Sequence, residues 1–278
     1  MSAMVAQAVI PPPKLPVLRT VRDAYLAVIT NFTQLLRISW VWALSIALIE
    51  LIVRLFGIPL FKGSELQKDF IAAAILLPPE VLAGASIAVA WHRLLLRNER
   101  PPSCIYFRLD RLVWGYFAVV LILLIVGLVI ALLFLAFLLG LIVVGVVILG
   151  VFGVVAPDVS EVTAANIGVV ALSVAGTMAA LLTFCLSTIL LPAKALERAA
   201  SFGEAWRSTR SSRWRIAIGT LLTCAPPLLL VVLLSEIASR VGISDAHWGW
   251  TATNTILGML LDVVYVGFLS YTYRHLLA

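Results

Sequence analysis

Charge is what this chain has least of. Only 12% of its 278 residues are charged and 62% are hydrophobic, against about 25% and 45–50% in soluble domains. No soluble fold hides that much apolar surface. Histidine and cysteine are sparse too. His92, His247 and His275 share no ligand spacing of the HExxH kind, and Cys104, Cys185 and Cys224 are odd in number and far apart. A zinc site and a disulfide framework are thereby excluded. Also missing are a nucleophile elbow, a P-loop and the paired intramembrane aspartates of a membrane protease, so the expectation is a protein that is not an enzyme and uses no cofactor or metal. Met1 to Ile10 is apolar but lacks the basic start of a secretory signal, and Pro11-Pro12-Pro13 follows it. Residues 1–20 therefore read as an uncleaved, disordered cytoplasmic tail before one transmembrane domain, 21–278.

What the chain does have is apolar length. A spanning helix needs about 20 apolar residues, and candidates are 38–56, 70–91, a run from Val113 to Ala156, 162–191, 216–234 and 250–271. Lysine and arginine sort themselves between these runs. Sixteen of the twenty fall before Ile38, between His92 and Leu112, between Pro192 and Arg215, or at Arg274. Short cytoplasmic loops carry such an excess, so both termini are expected in the cytoplasm. The formal net charge of +6 borders hydrophobic runs instead of forming one solvated face. Anionic lipid headgroups, not nucleic acid, are the expected counter-charge.

Val113 to Ala156 holds 44 residues without a charge. As one helix it would be about 66 Å long, against a hydrocarbon core of about 30 Å. The expectation is one crossing, 113–137, then a glycine-punctuated helix (Gly140, Gly145, Gly150, Gly153) that dips into the outer leaflet and returns. The fold class is then an all-α bundle of six spans, with a seven-span hairpin turning at Gly140 as the alternative.

Two segments on the arginine-rich side read as amphipathic helices lying on the membrane. From Val21 to Arg37, apolar residues recur at three- and four-residue spacing. The second opens with a capping box, Ser201 with Glu204, and carries Arg207, Arg210 and Arg213 at i, i+3 and i+6 beside Trp206. With Trp214, these residues form a candidate surface for anionic lipid or a protein partner. Arginine also precedes tryptophan at three membrane entries, Arg37/Trp40, Arg111/Trp114 and Arg213/Trp214, as in an interfacial aromatic belt.

The stretch Leu191-Pro192-Ala193-Lys194-Ala195-Leu196-Glu197, then Ser201-Phe202-Gly203-Glu204-Ala205-Trp206-Arg207 and Arg213-Trp214-Arg215, resembles a signature of uncharacterised bacterial inner-membrane proteins. It is similar to the membrane domain fused to some glycerophosphodiester phosphodiesterases, and Trp91-His92-Arg93 fits the same group. Where such families commonly place Gly-Asn, this chain has Ser211-Ser212. The resemblance implies a bacterial inner-membrane location. It carries no phosphodiesterase chemistry, because the matching pieces contain none of that domain.

Ionisable groups within spans cost about 2.5–3.5 kcal/mol each and mark candidate sites. Glu50 and Arg54 are one helical turn apart and can pair. Glu80 follows Pro78-Pro79, whose missing amides free carbonyls near Ala74 and Ile75, and Asp262 sits mid-span with Asn254 two turns before it. Counted from the outer boundary, Glu50 lies about 9 Å deep, Glu80 about 15 Å and Asp262 about 18 Å. The three carboxylates are expected to share one polar pocket as a proton or cation site, or to fix helix register as neutral acids and a salt bridge. Ser187 and Thr188 are expected to bond back to their own helix. The functional expectation is a lipid- or partner-binding membrane module; the alternative is a small transporter or channel using the carboxylates.

Overall fold

A computed structural model describes residues 14–53, 55, 64–151, 161–241 and 248–277. Among them the chain forms eight helices and no strand: α1 (Val17–Thr30), α2 (Phe32–Ile52), α3 (Glu65–Arg97), α4 (Arg111–Val151), α5 (Glu161–Ala195), α6 (Phe202–Thr209), α7 (Arg213–Arg240) and α8 (Trp248–Leu277). Six helices, α2, α3, α4, α5, α7 and α8, are long and apolar enough to cross a membrane. The protein is a six-span helical bundle.

Several local expectations need correction. Residues 14–20 are not a disordered tail: Leu15 is wholly buried, its carbonyl accepts from Arg215 Nη1 at 3.0 Å, and α1 begins at Val17. Residues 1–13 lie outside the described residues. The expected helix from Val21 to Arg37 is two helices. At Asn31 the side-chain amide reaches back to the Ala27 carbonyl at 3.0 Å, so side chain and backbone compete for one acceptor and the chain turns from α1 into α2. α1 then lies against α7 and α8, with Ala24 set against Gly267, where a side chain would meet Ala24 at 3.6 Å.

The break expected at Gly140 does not occur. α4 runs unbroken for 41 residues, about 61 Å, which corrects both the re-entrant and the seven-span readings. In hydrocarbon each open amide costs several kilocalories with no water to offset it, so glycine alone does not end a helix there. α5 returns beside α4 for 35 residues. The seam is made of small residues: Ala171, Ala175 and Ala179 are buried at four-residue spacing, and Gly127 faces Thr183 Oγ1. The arginine-rich segments after α3 and α5 thereby meet at one end of the bundle, where Arg93 reaches Glu197.

The tightest packing lies toward that side. Trp91, Phe268, Ile38, Ile216 and His92 are among the largest fully buried side chains, and Gly219 leaves room for the Phe268 ring. The end is tied by an ionic clamp. Arg93 donates to Glu99 at 2.6 Å and to Glu197 at 2.9 Å, while Arg97 Nη2 donates to the Leu196 carbonyl at 2.6 Å. Left-handed residues close α3 and α5: Asn98 (φ 55°), directly before Glu99, and Glu197 itself (φ 60°). In the second turn Arg198 N–H donates to the Ala193 carbonyl at 2.9 Å and Glu197 N–H to Lys194 at 3.1 Å, a Schellman motif without its usual glycine.

Candidate functional site

Where α2, α3 and α8 diverge away from the arginine-rich end, they leave a cavity of about 340 Å³, at the small end of the range for ligand pockets. Its floor is Trp91. Glu80 lines it from α3, Asp262 from α8 and Ile46 from α2. The cavity exists partly because two wall residues have no side chain: at Gly84 and Gly258 an added Cβ would meet nothing within 4 Å.

Of the three carboxylates expected in one pocket, Glu80 and Asp262 line this cavity, and each is exposed to it. Asp262 lies about 18 Å from Arg274 along α8. Among the described residues neither carboxylate has a hydrogen bond or a cationic partner. Glu50 is close enough to act electrostatically on Glu80 but does not line the cavity. Its expected partner Arg54 lies outside the described residues, as does the side chain of Asn254. α3 continues through Pro78-Pro79 without a break. The Trp91 indole N–H is buried without a hydrogen-bond partner among the described residues.

A second polar feature was missed in the sequence, where His92 reads as an isolated histidine. It is fully buried between three helices: Nδ1 lies 2.7 Å from Ser270 Oγ and Nε2 lies 3.2 Å from the Tyr116 hydroxyl. Ser270 spends its own proton on the Val266 carbonyl at 2.9 Å. Nδ1–H therefore donates to Ser270, and Nε2 accepts from Tyr116. This chain ties α4, α3 and α8 just below the cavity, whose wall includes Val266. No sequence spacing announces it, since the partners are 24 and 178 residues away. Ser187 and Thr188 bond back to the Phe184 carbonyl as expected, and Ser187 also meets the Tyr265 hydroxyl at 2.8 Å.

The basic elbow differs from its expectation. The Ser201–Glu204 capping box forms, and its hydrogen bonds from the Ser201 amide and hydroxyl hold the Glu204 carboxyl below the ordinary range. Yet Arg207, Arg210 and Arg213 do not share a helical stripe. α6 ends at Thr209, Arg210 caps it, and Arg213 starts α7. Arg213 stacks over the Trp206 ring at 3.4 Å and donates to the Trp206 carbonyl at 3.2 Å. Arg207, Arg210, Trp206 and Trp214 remain exposed at the level of the arginine-rich end.

No family model matches this chain, nor does any curated protein or solved structure.

Proposed function

We propose that the chain is a non-enzymatic multi-pass membrane protein that binds a cationic ligand, an ammonium group on a small apolar body, between α2, α3 and α8. One observation carries this reading: Glu80 and Asp262 converge on a single cavity into which no cation of the chain reaches among the described residues. Carboxylates in a low-dielectric site need a counter-charge or a proton, and a ligand cation supplies the first. Ile87, Ala88, Met259 and Val263 complete walls suited to the apolar body.

In this reading the arginine-rich end and both termini face the cytoplasm of a bacterial inner membrane, supported by the placement of sixteen of the twenty basic residues. Exposed Arg207 and Arg210 then meet anionic headgroups, with Trp206 and Trp214 at headgroup depth. The test is calorimetric titration of hexylammonium into the protein in lipid nanodiscs. Binding is expected to be lost in Asp262→Asn and Glu80→Gln, and also in Gly258→Leu, which fills open space. Equal affinity for hexanol, or unchanged binding in the double carboxylate variant, would sink the reading.

Exposure of both carboxylates to the cavity favours a second reading, in which they pass a proton or monovalent cation across the bilayer. Cation flux into proteoliposomes that disappears in Asp262→Asn would favour transport over binding alone.

A further inference from the structure

At the opposite depth from the carboxylate cavity, beneath residues 98–110, lies another cavity of about 450 Å³. Three arginines line it, Arg93, Arg100 and Arg108, against one carboxylate, Glu99. Two of the guanidiniums are largely buried, with side chains 13% and 25% exposed for Arg93 and Arg108. Arg93 is committed to Glu99 and Glu197, and Arg108 to Asp110 at 2.6 Å. Arg100 has neither a hydrogen bond nor an ion pair among the described residues. Its charge is the uncompensated one.

The loop that frames this cavity is built, not draped. Trp40 Nε1 donates to the Cys104 carbonyl at 2.8 Å, Ser86 Oγ to the Arg108 carbonyl at 2.9 Å, and Trp42 Nε1 to Ser86 at 3.1 Å. Phe107 stacks on Trp42 with ring centroids 4.5 Å apart. Pro101-Pro102 stiffens the rim, and Ile38 and Ala90 form an apolar floor. Trp40 is partly exposed in the half of α2 nearer the arginine-rich end, where an aromatic side chain lies close to headgroup level. An arginine-lined mouth over an apolar floor at that depth matches one ligand chemistry, a phosphate carried by an apolar body.

We propose that this cavity binds a phosphate group, with Arg100 as the free guanidinium and Arg93 and Arg108 as preset neighbours, its source being an anionic phospholipid headgroup or a soluble phosphate. It is a different cavity from the carboxylate site, so either proposal stands or falls alone. The test is native mass spectrometry of the full chain released from nanodiscs of phosphatidylcholine containing phosphatidylglycerol, comparing wild type with Arg100→Gln and with Arg274→Gln. Arg274→Gln removes the same charge from the same end, and both side chains are exposed, so neither variant endangers the fold.

The expected result is one retained phosphatidylglycerol, with occupancy falling about fivefold in Arg100→Gln and holding in Arg274→Gln. Addition of inorganic phosphate separates the sources: displacement of the lipid assigns the site to phosphate alone, and persistence assigns it to the phospholipid. Equal losses in the two variants, or equal retention of phosphatidylcholine, would overturn the proposal, because diffuse surface charge would then account for the binding.

Discussion

The Tyr25 hydroxyl on α1 donates a 2.7 Å hydrogen bond to the Thr223 carbonyl on α7, the carbonyl whose helical partner would have been the amide that Pro227 lacks. A proline inside a span frees an acceptor, and a neighbouring helix supplies the donor. This bond helps to hold α1 against the bundle.

Tyr25→Phe is accordingly expected to lower stability by about 1–3 kcal/mol, the cost of an unsatisfied buried acceptor, read as a lower thermal midpoint in detergent. In a Pro227→Ala background the helix closes its own bond, so the same change should cost less. Equal losses in both backgrounds would mean that Tyr25 acts through packing alone.

The chain from Tyr116 through His92 to Ser270 predicts strong coupling. His92→Phe leaves the buried Tyr116 hydroxyl without its acceptor and Ser270, still bonded to Val266, without its donor; it should cost about 1–3 kcal/mol, while His92→Gln, which keeps a donor and an acceptor, should recover part of it. Combining His92→Phe with Tyr116→Phe should cost less than the sum of the two. Additive losses would show that the bonds contribute little.

The clamp at the arginine-rich end should depend on pH. Hydrogen bonding from Arg93 is the main cause holding the Glu99 carboxyl below its ordinary value of 4.5. A carboxyl so lowered stabilises the fold fully above that value, and the contribution is lost as pH falls through the lower folded value. Amide exchange across residues 93–110, corrected for intrinsic rates, should therefore quicken on acidification in the wild type. In Glu99→Gln it should already be fast near neutrality. Identical pH profiles would remove Glu99 from the clamp.

Orientation can be read from a native thiol. Cys104 is exposed in the arginine-rich loop while Cys185 is buried. A membrane-impermeant maleimide should leave Cys104 unlabelled in intact cells and modify it after permeabilisation. Labelling of intact cells would place the arginine-rich end outside.

Two of the three residues expected in the carboxylate pocket were legible before folding because depth along a span is arithmetic; Glu50, which does not line it, was not. Glu80 and Asp262 sit at similar distances from the outer boundary, and only one axial rotation of each helix was needed to bring them together. The arginine cavity and the His92 network were not legible in the same way. Both depend on partners many residues distant: Trp40 reaching Cys104, or His92 reaching Ser270. The failure at the basic elbow has a local cause. Spacing alone puts Arg207, Arg210 and Arg213 on one face, but α6 ends at Thr209 and Arg213 opens α7.

By itself the sequence determined an all-α bundle of apolar spans with arginines grouped between alternate spans, since apolar length must match a bilayer; that 113–151 forms one helix and not a hairpin was left to the structure. The sequence also determined the capping box of α6, where donor and acceptor are three residues apart. Tertiary structure decided everything that turns on rotation about a helix axis. In lipid the exposed and buried faces are both apolar, so no hydrophobic period reports which face turns inward. Packing placed Gly84 and Gly258 toward open space, carried α4 past Gly140, and turned Tyr25 toward the carbonyl that a proline had freed.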